Sequence, residues 1–372
     1  MHFLKFVRRA LAFIIVIALW IAGSAQAQTD DFSRRDMLEN IVRNIILPLH
    51  EDFLRQTEAF HVAAEDFVAN PRPPALETLR EQWRRTSTLW EQVSLFRMGR
   101  DITTLHNRID NGYPAAPHAI DGLLASEQPL DADFFETQAS NVYNLRAIEY
   151  LLFDTDWTPN EAMAAFAGGR TGQRRQQYVL TTTAMLQQTA ADLWEIWAPE
   201  GENYAQTCVN LDDVRNANET MSMLTVNMLR SVKDIYTTDL ALPLGITTGE
   251  PHPELVASPY GDYSHEQMRS LLDIIRQTFN GDSDSGSLGL DDYLDLIGAT
   301  ENGVPLAGEI NDQLTAVIDA IDGLNRPLSI VITYQPQRIR SIYGGMEYLV
   351  HLYEVDMAGQ MGLSIAVPDH GC

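Results

Sequence analysis

The chain has 372 residues, of which 45% are hydrophobic, and 26 Lys and Arg stand against 51 Asp and Glu, a formal charge of −25. This length and apolar content suffice for two ordinary domains, and they exclude a disordered chain, a collagen-like repeat and a small disulfide scaffold. Because the composition is so acidic, it offers no basic surface to a phosphate backbone, which argues against nucleic-acid binding.

The first 27 residues have the pattern of a secretory signal peptide. Lys5, Arg8 and Arg9 precede an apolar run over 10–22, and a small-residue cleavage pattern follows at 25–27. The apolar run is short for a membrane-spanning helix. The sequence therefore predicts a signal peptide over 1–27 and export of the mature chain to the periplasm.

Apolar residues recur at spacings of three and four along most of the remaining chain, which predicts helices. Trp83 and Trp90 belong to one such stripe, and we interpret them as core residues. The predicted helices, in chain order, are 32–67, 75–98, 134–153, 173–197, 214–236, 265–279, 308–324 and 335–361. The sequence therefore predicts an all-α fold built from helical bundles.

Two pairs of short segments suggest an internal duplication. The segment 146–152 resembles 345–350, and the segment 89–96 resembles 272–279. The two offsets, about 180 to 200 residues, roughly halve the mature chain. Coincidence among amphipathic helices is the alternative explanation. We expect two helical-bundle domains related by duplication, over 28–205 and 206–372.

Three charged residues stand out in the first half. Glu149 lies in the apolar stretch 147–153, where a carboxylate is costly to bury without a partner. Arg146, three residues earlier, lies on the same helical face, so a structural ion pair is the simplest interpretation and a ligand site or a catalytic carboxylate is the alternative. Asp110 lies in a loop punctuated by Gly and Pro, which favours a turn-capping role.

These residues lie in segments that resemble the imelysin family. The run 143–153 resembles a family segment with a G-x-H-x-x-E signature, 90–99 resembles W-x-x-x-E-x-F-x-F-G, and 109–114 resembles I-D-x-W-P. Further similar segments lie at 174–197, 233–245 and 361–371. The resemblance implies two duplicated helical-bundle domains with the signature facing a groove. It also implies a connection to iron-regulated transport and a disputed peptidase label.

The chain departs from the family pattern at three positions. Arg146 stands in place of the signature His, Asn144 in place of its Gly, and Ser94 in place of the Glu of the tryptophan segment. A His and a Glu at i and i+3 can bind a metal together with carboxylates from neighbouring helices. Arginine offers only donors and stays charged, so it cannot be a ligand. We therefore expect a degenerate metal site, with Asp110 and Glu149 as the retained metal candidates.

The sequence thus predicts an exported, non-catalytic imelysin-like protein that binds a ligand or partner in connection with the uptake of iron or another metal. The predicted groove contains Arg146, Glu149, Asp110 and Ser94, and it would take a metal ion or a small anionic ligand clamped by Arg146. Periplasmic or membrane transport proteins are the candidate partners. Iron or another divalent metal is the candidate cofactor. The alternative is a metallopeptidase with Glu149 as general base.

One spacing in the second half resembles that of the signature. His351 and Glu354 lie at i and i+3 on the last predicted helix. Pairs of this kind are common on solvated helix faces. We therefore interpret His351 and Glu354 as surface residues.

Overall fold

The computed structural model describes residues 33–99, 101–111, 115–153, 157–210, 214–282 and 288–363. The predicted signal peptide lies outside these residues. The all-α prediction is confirmed, because a two-stranded ribbon is the β-structure that accompanies the helices in the described part of the chain. None of the described helices combines the length and the apolar character that a membrane span requires.

The first predicted half begins with a long helix that is interrupted by a π-helical turn. The turn covers Ile41–Ile46, and a shorter 3-10 turn covers Ser140–Val142. The α-helices are α1 (Arg34–Asn40), α2 (Leu47–Ala69), α3 (Pro73–Ser94), α4 (Ile102–Ile109), α5 (Pro117–Ala125), α6 (Ala132–Phe135), α7 (Leu145–Leu152), α8 (Pro159–Phe166), α9 (Gly169–Trp197) and α10 (Tyr204–Val209). Several start at capping residues, as where Thr158 and Glu161 form a capping box.

The second predicted half has two further π-helical turns, Ile235–Ala241 and Leu352–Met357. Its α-helices are α11 (Val214–Asp234), α12 (Leu242–Leu244), α13 (Ser264–Asn280), α14 (Leu290–Leu296), α15 (Leu306–Asp322), α16 (Leu328–Tyr334), α17 (Pro336–His351) and α18 (Ala358–Gln360). A 3-10 turn covers Pro253–Leu255. Strand β1 (Thr300–Glu301) pairs antiparallel with β2 (Val304–Pro305).

The predicted helix over 134–153 is wrong. The structure divides this segment into α6, a 3-10 turn and α7. Asn144 causes the break, because its side chain accepts a hydrogen bond from the Ala147 amide at 3.0 Å and so caps the start of α7. As a result, α7 is a short helix, and Arg146 is its second residue.

The first-half core lies around α2, which packs against both α3 and α9. Trp83 and Trp90 are 0% and 1% exposed, which confirms their interpretation as core residues. The Trp83 indole donates to the Leu145 carbonyl at 3.0 Å. This buried hydrogen bond joins α3 to the first turn of α7, so it fixes the position of the signature segment along α3.

Helix α3 also connects the two predicted halves, because it packs against α13, which in turn packs against α14 and α15. The Gln267 side chain donates to Ser87 Oγ at 2.5 Å, and Ser270 Oγ donates to the Thr88 carbonyl at 3.0 Å. Helices and polar side chains therefore meet across the predicted domain boundary. The boundary itself and the duplication stay predictions.

Candidate functional site

Arg146 lies almost enclosed at the point where both halves meet, with a side chain that is 11% exposed. Its Nε donates to both carboxylate oxygens of Asp110, at 3.1 and 3.3 Å, and its Nη2 lies 3.0 Å from Oδ2. The opposite edge of the guanidinium donates to the Ala257 carbonyl at 2.5 Å and to Gln267 Oε1 at 3.3 Å. Glu91 Oε1 lies 3.5 Å from Nη2. All sides of the guanidinium are thus engaged by protein groups.

Glu149, one helical turn further along α7, is held by a loop of the second half. Its Oε1 accepts hydrogen bonds from Ser258 Oγ at 2.7 Å, the Tyr260 amide at 3.0 Å and the Gly261 amide at 2.8 Å. The loop can come this close because residue 261 is glycine, since a Cβ there would lie 3.1 Å from Trp83. Glu149 is 1% exposed, and burial raises its pKa, while Arg146 and the three donors oppose this shift. We refer to Ser258, Tyr260 and Gly261 as the donor loop.

Beside Arg146 lies a polar cavity of about 410 Å³. It is bounded by α3, α4 and α7 of the first half and by α11 and the following π-helical turn of the second half. Its ionisable lining residues, among those that the structure describes, are Glu91, Asp110, Asp234, Asp239, Arg97, Arg146 and Arg230. Acidic and basic groups are therefore mixed around a space that is large enough for a small polar molecule.

Two of the carboxyl groups that line the cavity, those of Glu91 and Asp239, have strongly raised pKa values. Burial is the main cause that raises the pKa of Glu91 to about 7, with repulsion from Asp110 adding to the shift and Arg146 opposing it. Burial likewise raises the pKa of Asp239 to about 8, and Glu91 adds repulsion. The charge of Arg146 is opposed by burial, but Asp110 and Glu91 outweigh this and raise its pKa. Near neutral pH, Arg146 is therefore charged, while Asp239 carries a proton in most molecules.

Asp239→Asn should change how stability depends on pH. The pKa of this carboxyl is about 8 in the folded chain against an ordinary 3.8, so folding favours the protonated form. Its contribution to stability is complete below the ordinary pKa and is lost as the pH rises through about 8. Relative to the variant, the wild-type protein should lose about 3–4 kcal/mol of unfolding free energy between about pH 5 and about pH 8.

Urea unfolding of both proteins over this pH range measures the difference. Asp312→Asn is the matched control, because Asp312 is an exposed residue on α15. Parallel stability curves for the wild-type protein and Asp239→Asn would contradict the prediction.

The structure brings three of the four predicted groove residues to the cavity. Arg146, Asp110 and Ser94 line it, and Arg146 pairs with Asp110. Ser94 Oγ donates to the Glu91 carbonyl at 2.8 Å. Glu149, the fourth, does not line the cavity, and its carboxylate is bound by the donor loop. Asp110, for which a turn-capping role was expected, ends α4 and turns its carboxylate to Arg146.

Sequence reasoning missed Glu91, Arg97, Arg230 and Asp239. For Glu91 a signal was present, since it precedes Ser94 by three residues on one helix and therefore shares its face. Asp239 lies in the π-helical turn Ile235–Ala241, where the ordinary helical period does not assign faces. Arg97 follows the end of α3 and Arg230 lies on α11, so only the tertiary fold brings them together.

The cavity does not fit a metal ion held by the signature. Arg146 occupies the signature His position with donor groups alone, and it already neutralises Asp110. No three Asp, Glu, His or Cys side chains converge at this cavity within the described ranges. A convergent group of this kind lies elsewhere, at Glu301, His351 and Asp356.

Comparison with known proteins identifies the family. The family model described as Imelysin matches residues 46–345. An imelysin-like protein from Psychrobacter arcticum 273-4 has a similar fold, with a TM-score of 0.70 and 15% identity over 90% of this chain and 98% of that chain. An iron-regulated protein A precursor from Parabacteroides distasonis ATCC 8503 has a TM-score of 0.70 and 17% identity, over 87% of this chain and 94% of that chain.

No curated protein matches the chain. The two solved structures share too little sequence to indicate more than a common fold. The family match, in contrast, spans most of the chain and includes α3, α4 and α7, the helices that bring Arg146, Asp110 and Glu149 together. The chain belongs to the imelysin family.

Proposed function

We propose that this protein is an exported, non-catalytic member of the imelysin family that binds a small anionic ligand in its polar cavity, in connection with the uptake of iron or another metal. The observation that carries the proposal is the position of Arg146. At the signature His position it places a permanent positive charge where a metal ligand would be required. The binding chemistry of the cavity therefore belongs to its charged side chains.

Arg97 and Arg230 determine the class of ligand. Both line the cavity, and neither guanidinium forms a hydrogen bond or an ion pair with the described residues. Burial lowers the pKa of Arg97, and the nearby charge of Arg230 lowers it further, although Asp234 and Asp110 oppose this. An anion with several oxygens would bridge the two guanidiniums with charge-assisted hydrogen bonds. Carboxylate and phosphate groups meet this requirement.

The protonation of Glu91 and Asp239 supports an anionic ligand. With pKa values of about 7 and about 8, both groups bind protons near neutral pH. A protonated carboxyl can donate a hydrogen bond to a ligand oxygen and does not repel it. The lining then carries three arginines against two charged carboxylates, Asp110 and Asp234. This positive balance favours the binding of an anion.

The connection to metal uptake has two supports. One is the name of the structural neighbour from Parabacteroides distasonis, an iron-regulated protein A precursor. The other is chemical, because hard metal ions prefer oxygen ligands and are therefore bound by carboxylate-rich anions such as citrate. The signal-peptide pattern over 1–27 supports a location outside the cytoplasm, where transport proteins would be the partners.

A calorimetric titration with citrate and with inorganic phosphate tests this function. Wild-type protein is expected to bind at least one of the two probes, and Arg97→Gln or Arg230→Gln should weaken binding about tenfold or more, since each removes a charge-assisted contact. Binding should also weaken as the pH rises through about 7 to about 8, because Glu91 and Asp239 then ionise.

Arg85→Gln is the matched control, because Arg85 is exposed on α3 and pairs with Glu81. An equal loss of affinity in this control, or no binding of either probe to the wild-type protein, would contradict the anion site. Hydrolysis of a peptide mixture that disappears in Glu149→Gln would contradict the non-catalytic assignment.

A further inference from the structure

A second group of ligating side chains lies in the second half, away from the residues that line the polar cavity. Glu301 lies on strand β1, His351 ends α17, and Asp356 lies in the π-helical turn that follows. One ligand atom of each residue lies within 4.8 Å of the other two. The three residues thus converge although Glu301 is separated from the other two by most of α15, α16 and α17.

The π-helical turn Leu352–Met357 makes this convergence possible. His351 and Asp356 are five residues apart, a spacing that a regular α-helix does not bring onto one face, whereas a π-helical turn does. His351 Nε2 lies 3.5 Å from Asp356 Oδ2. Glu354 points elsewhere and pairs with Lys233 at 2.5 Å. His351 and Glu354 are both exposed, which confirms their interpretation as surface residues.

The hairpin holds Glu301 in place from the other side. The Thr300 amide donates to Gln360 Oε1 at 2.9 Å, and Gln360 Nε2 donates back to the Thr300 carbonyl at 3.0 Å. Asn302 Nδ2 donates to Glu301 Oε1 at 2.7 Å. Strand β1 is therefore fixed against α18, so Glu301 needs no rearrangement to meet Asp356.

The electrostatic environment of Glu301, His351 and Asp356 favours a bound positive charge. Asp356 Oδ2 is buried and has no hydrogen-bond partner among the residues that the structure describes, and the Asp356 side chain is only 13% exposed. Glu301 approaches the same carboxyl, and the nearby Glu309 adds negative charge. Two carboxylates in this position repel each other unless a proton or a cation lies between them. The imidazole of His351, 51% exposed, leaves the group open to solvent on one side.

We propose that Glu301, His351 and Asp356 bind a divalent transition-metal cation of the Zn²⁺ class. Imidazole nitrogen and carboxylate oxygen are both Zn²⁺ ligands, and three protein ligands leave a fourth position for water. Ca²⁺ is disfavoured, because it takes six to eight oxygen ligands and does not favour a ring nitrogen. The site is independent of Arg146 and of the polar cavity.

Titration of the full mature chain with Zn²⁺, followed by calorimetry, tests the site. We expect one Zn²⁺ per chain with an affinity that falls about tenfold or more in Glu301→Gln and in His351→Ala. The same concentration of Zn²⁺ should also raise the Tm of the wild-type protein more than that of either variant. Ca²⁺ at the same concentration should not compete.

Glu354→Gln is the matched control for general attraction of cations to the acidic surface, because Glu354 follows His351 by three residues and lies outside the group. Retention of wild-type Zn²⁺ affinity by Glu301→Gln, or an equal loss in Glu354→Gln, would overturn the proposal. Asp356→Asn provides a third ligand variant if one of the others folds poorly. Citrate and phosphate titrations of Glu301→Gln keep this test separate from that of the cavity.

Discussion

Glu149→Ala is expected to lower the free energy of unfolding by about 3–5 kcal/mol. The variant removes the acceptor of three hydrogen bonds, so the buried Ser258 Oγ and the half-buried amides of Tyr260 and Gly261 lose this partner. Each unsatisfied buried donor is costly, because it has lost water and gained nothing in return. Arg146 also loses a neighbouring negative charge. Urea or thermal unfolding measures the loss.

Two further variants define the cause of this loss. Glu149→Gln keeps one acceptor oxygen and should lose less stability than Glu149→Ala. Glu65→Ala, at an exposed position of α2, should stay within about 0.5 kcal/mol of the wild-type protein. If Glu149→Ala were no more destabilising than Glu65→Ala, the donor loop would not depend on this carboxylate.

Arg146→Leu should have an effect of similar size, about 3–5 kcal/mol, for the opposite reason. It leaves Asp110 and Glu91 without the guanidinium that lies 3.0 and 3.5 Å from them, and it deprives the Ala257 carbonyl of a donor. The loss should grow with pH, because Glu91 and Asp239 become charged as the pH rises through about 7 and about 8. Urea unfolding at several pH values measures both effects.

Arg85→Leu is the control for the loss of an arginine, since its exposed ion pair with Glu81 contributes at most about 1 kcal/mol. Arg146→Lys keeps the charge but cannot contact Asp110 with two nitrogens, so an intermediate loss is expected. A destabilisation of Arg146→Leu that shrinks towards alkaline pH would contradict the electrostatic explanation.

Helical periodicity was sufficient to predict the fold, because apolar stripes such as that of Trp83 and Trp90 are local and every helix must bury one. The family resemblance also located Arg146, Asp110 and Glu149 as residues of interest. Apolar periodicity did not predict the break within 134–153, because a capping hydrogen bond causes it. Asn144 offers its side chain to the Ala147 amide, and this single hydrogen bond separates α7 from the preceding turn.

Contacts between distant segments could not be predicted from the sequence. The donors to Glu149 come from a loop more than a hundred residues later, and two of the three are backbone amides, which carry no mark in the sequence. Asp239 and Asp356 lie in π-helical turns, where one extra residue per turn rotates the following side chains away from the face that a regular helix predicts.

A glutamate at the signature position can serve the fold or a reaction, and the burial of Glu149 favours the first role. In this chain the carboxylate closes a buried hydrogen-bond network between the two halves, so the requirements of folding alone account for it. The presence of Glu149 is therefore no marker of reactivity in this chain. The informative position is the one three residues earlier, because histidine can ligate a metal at that point and arginine cannot. In this chain that position is Arg146, so the segment keeps the carboxylate that the fold uses and lacks the imidazole that a metal would need.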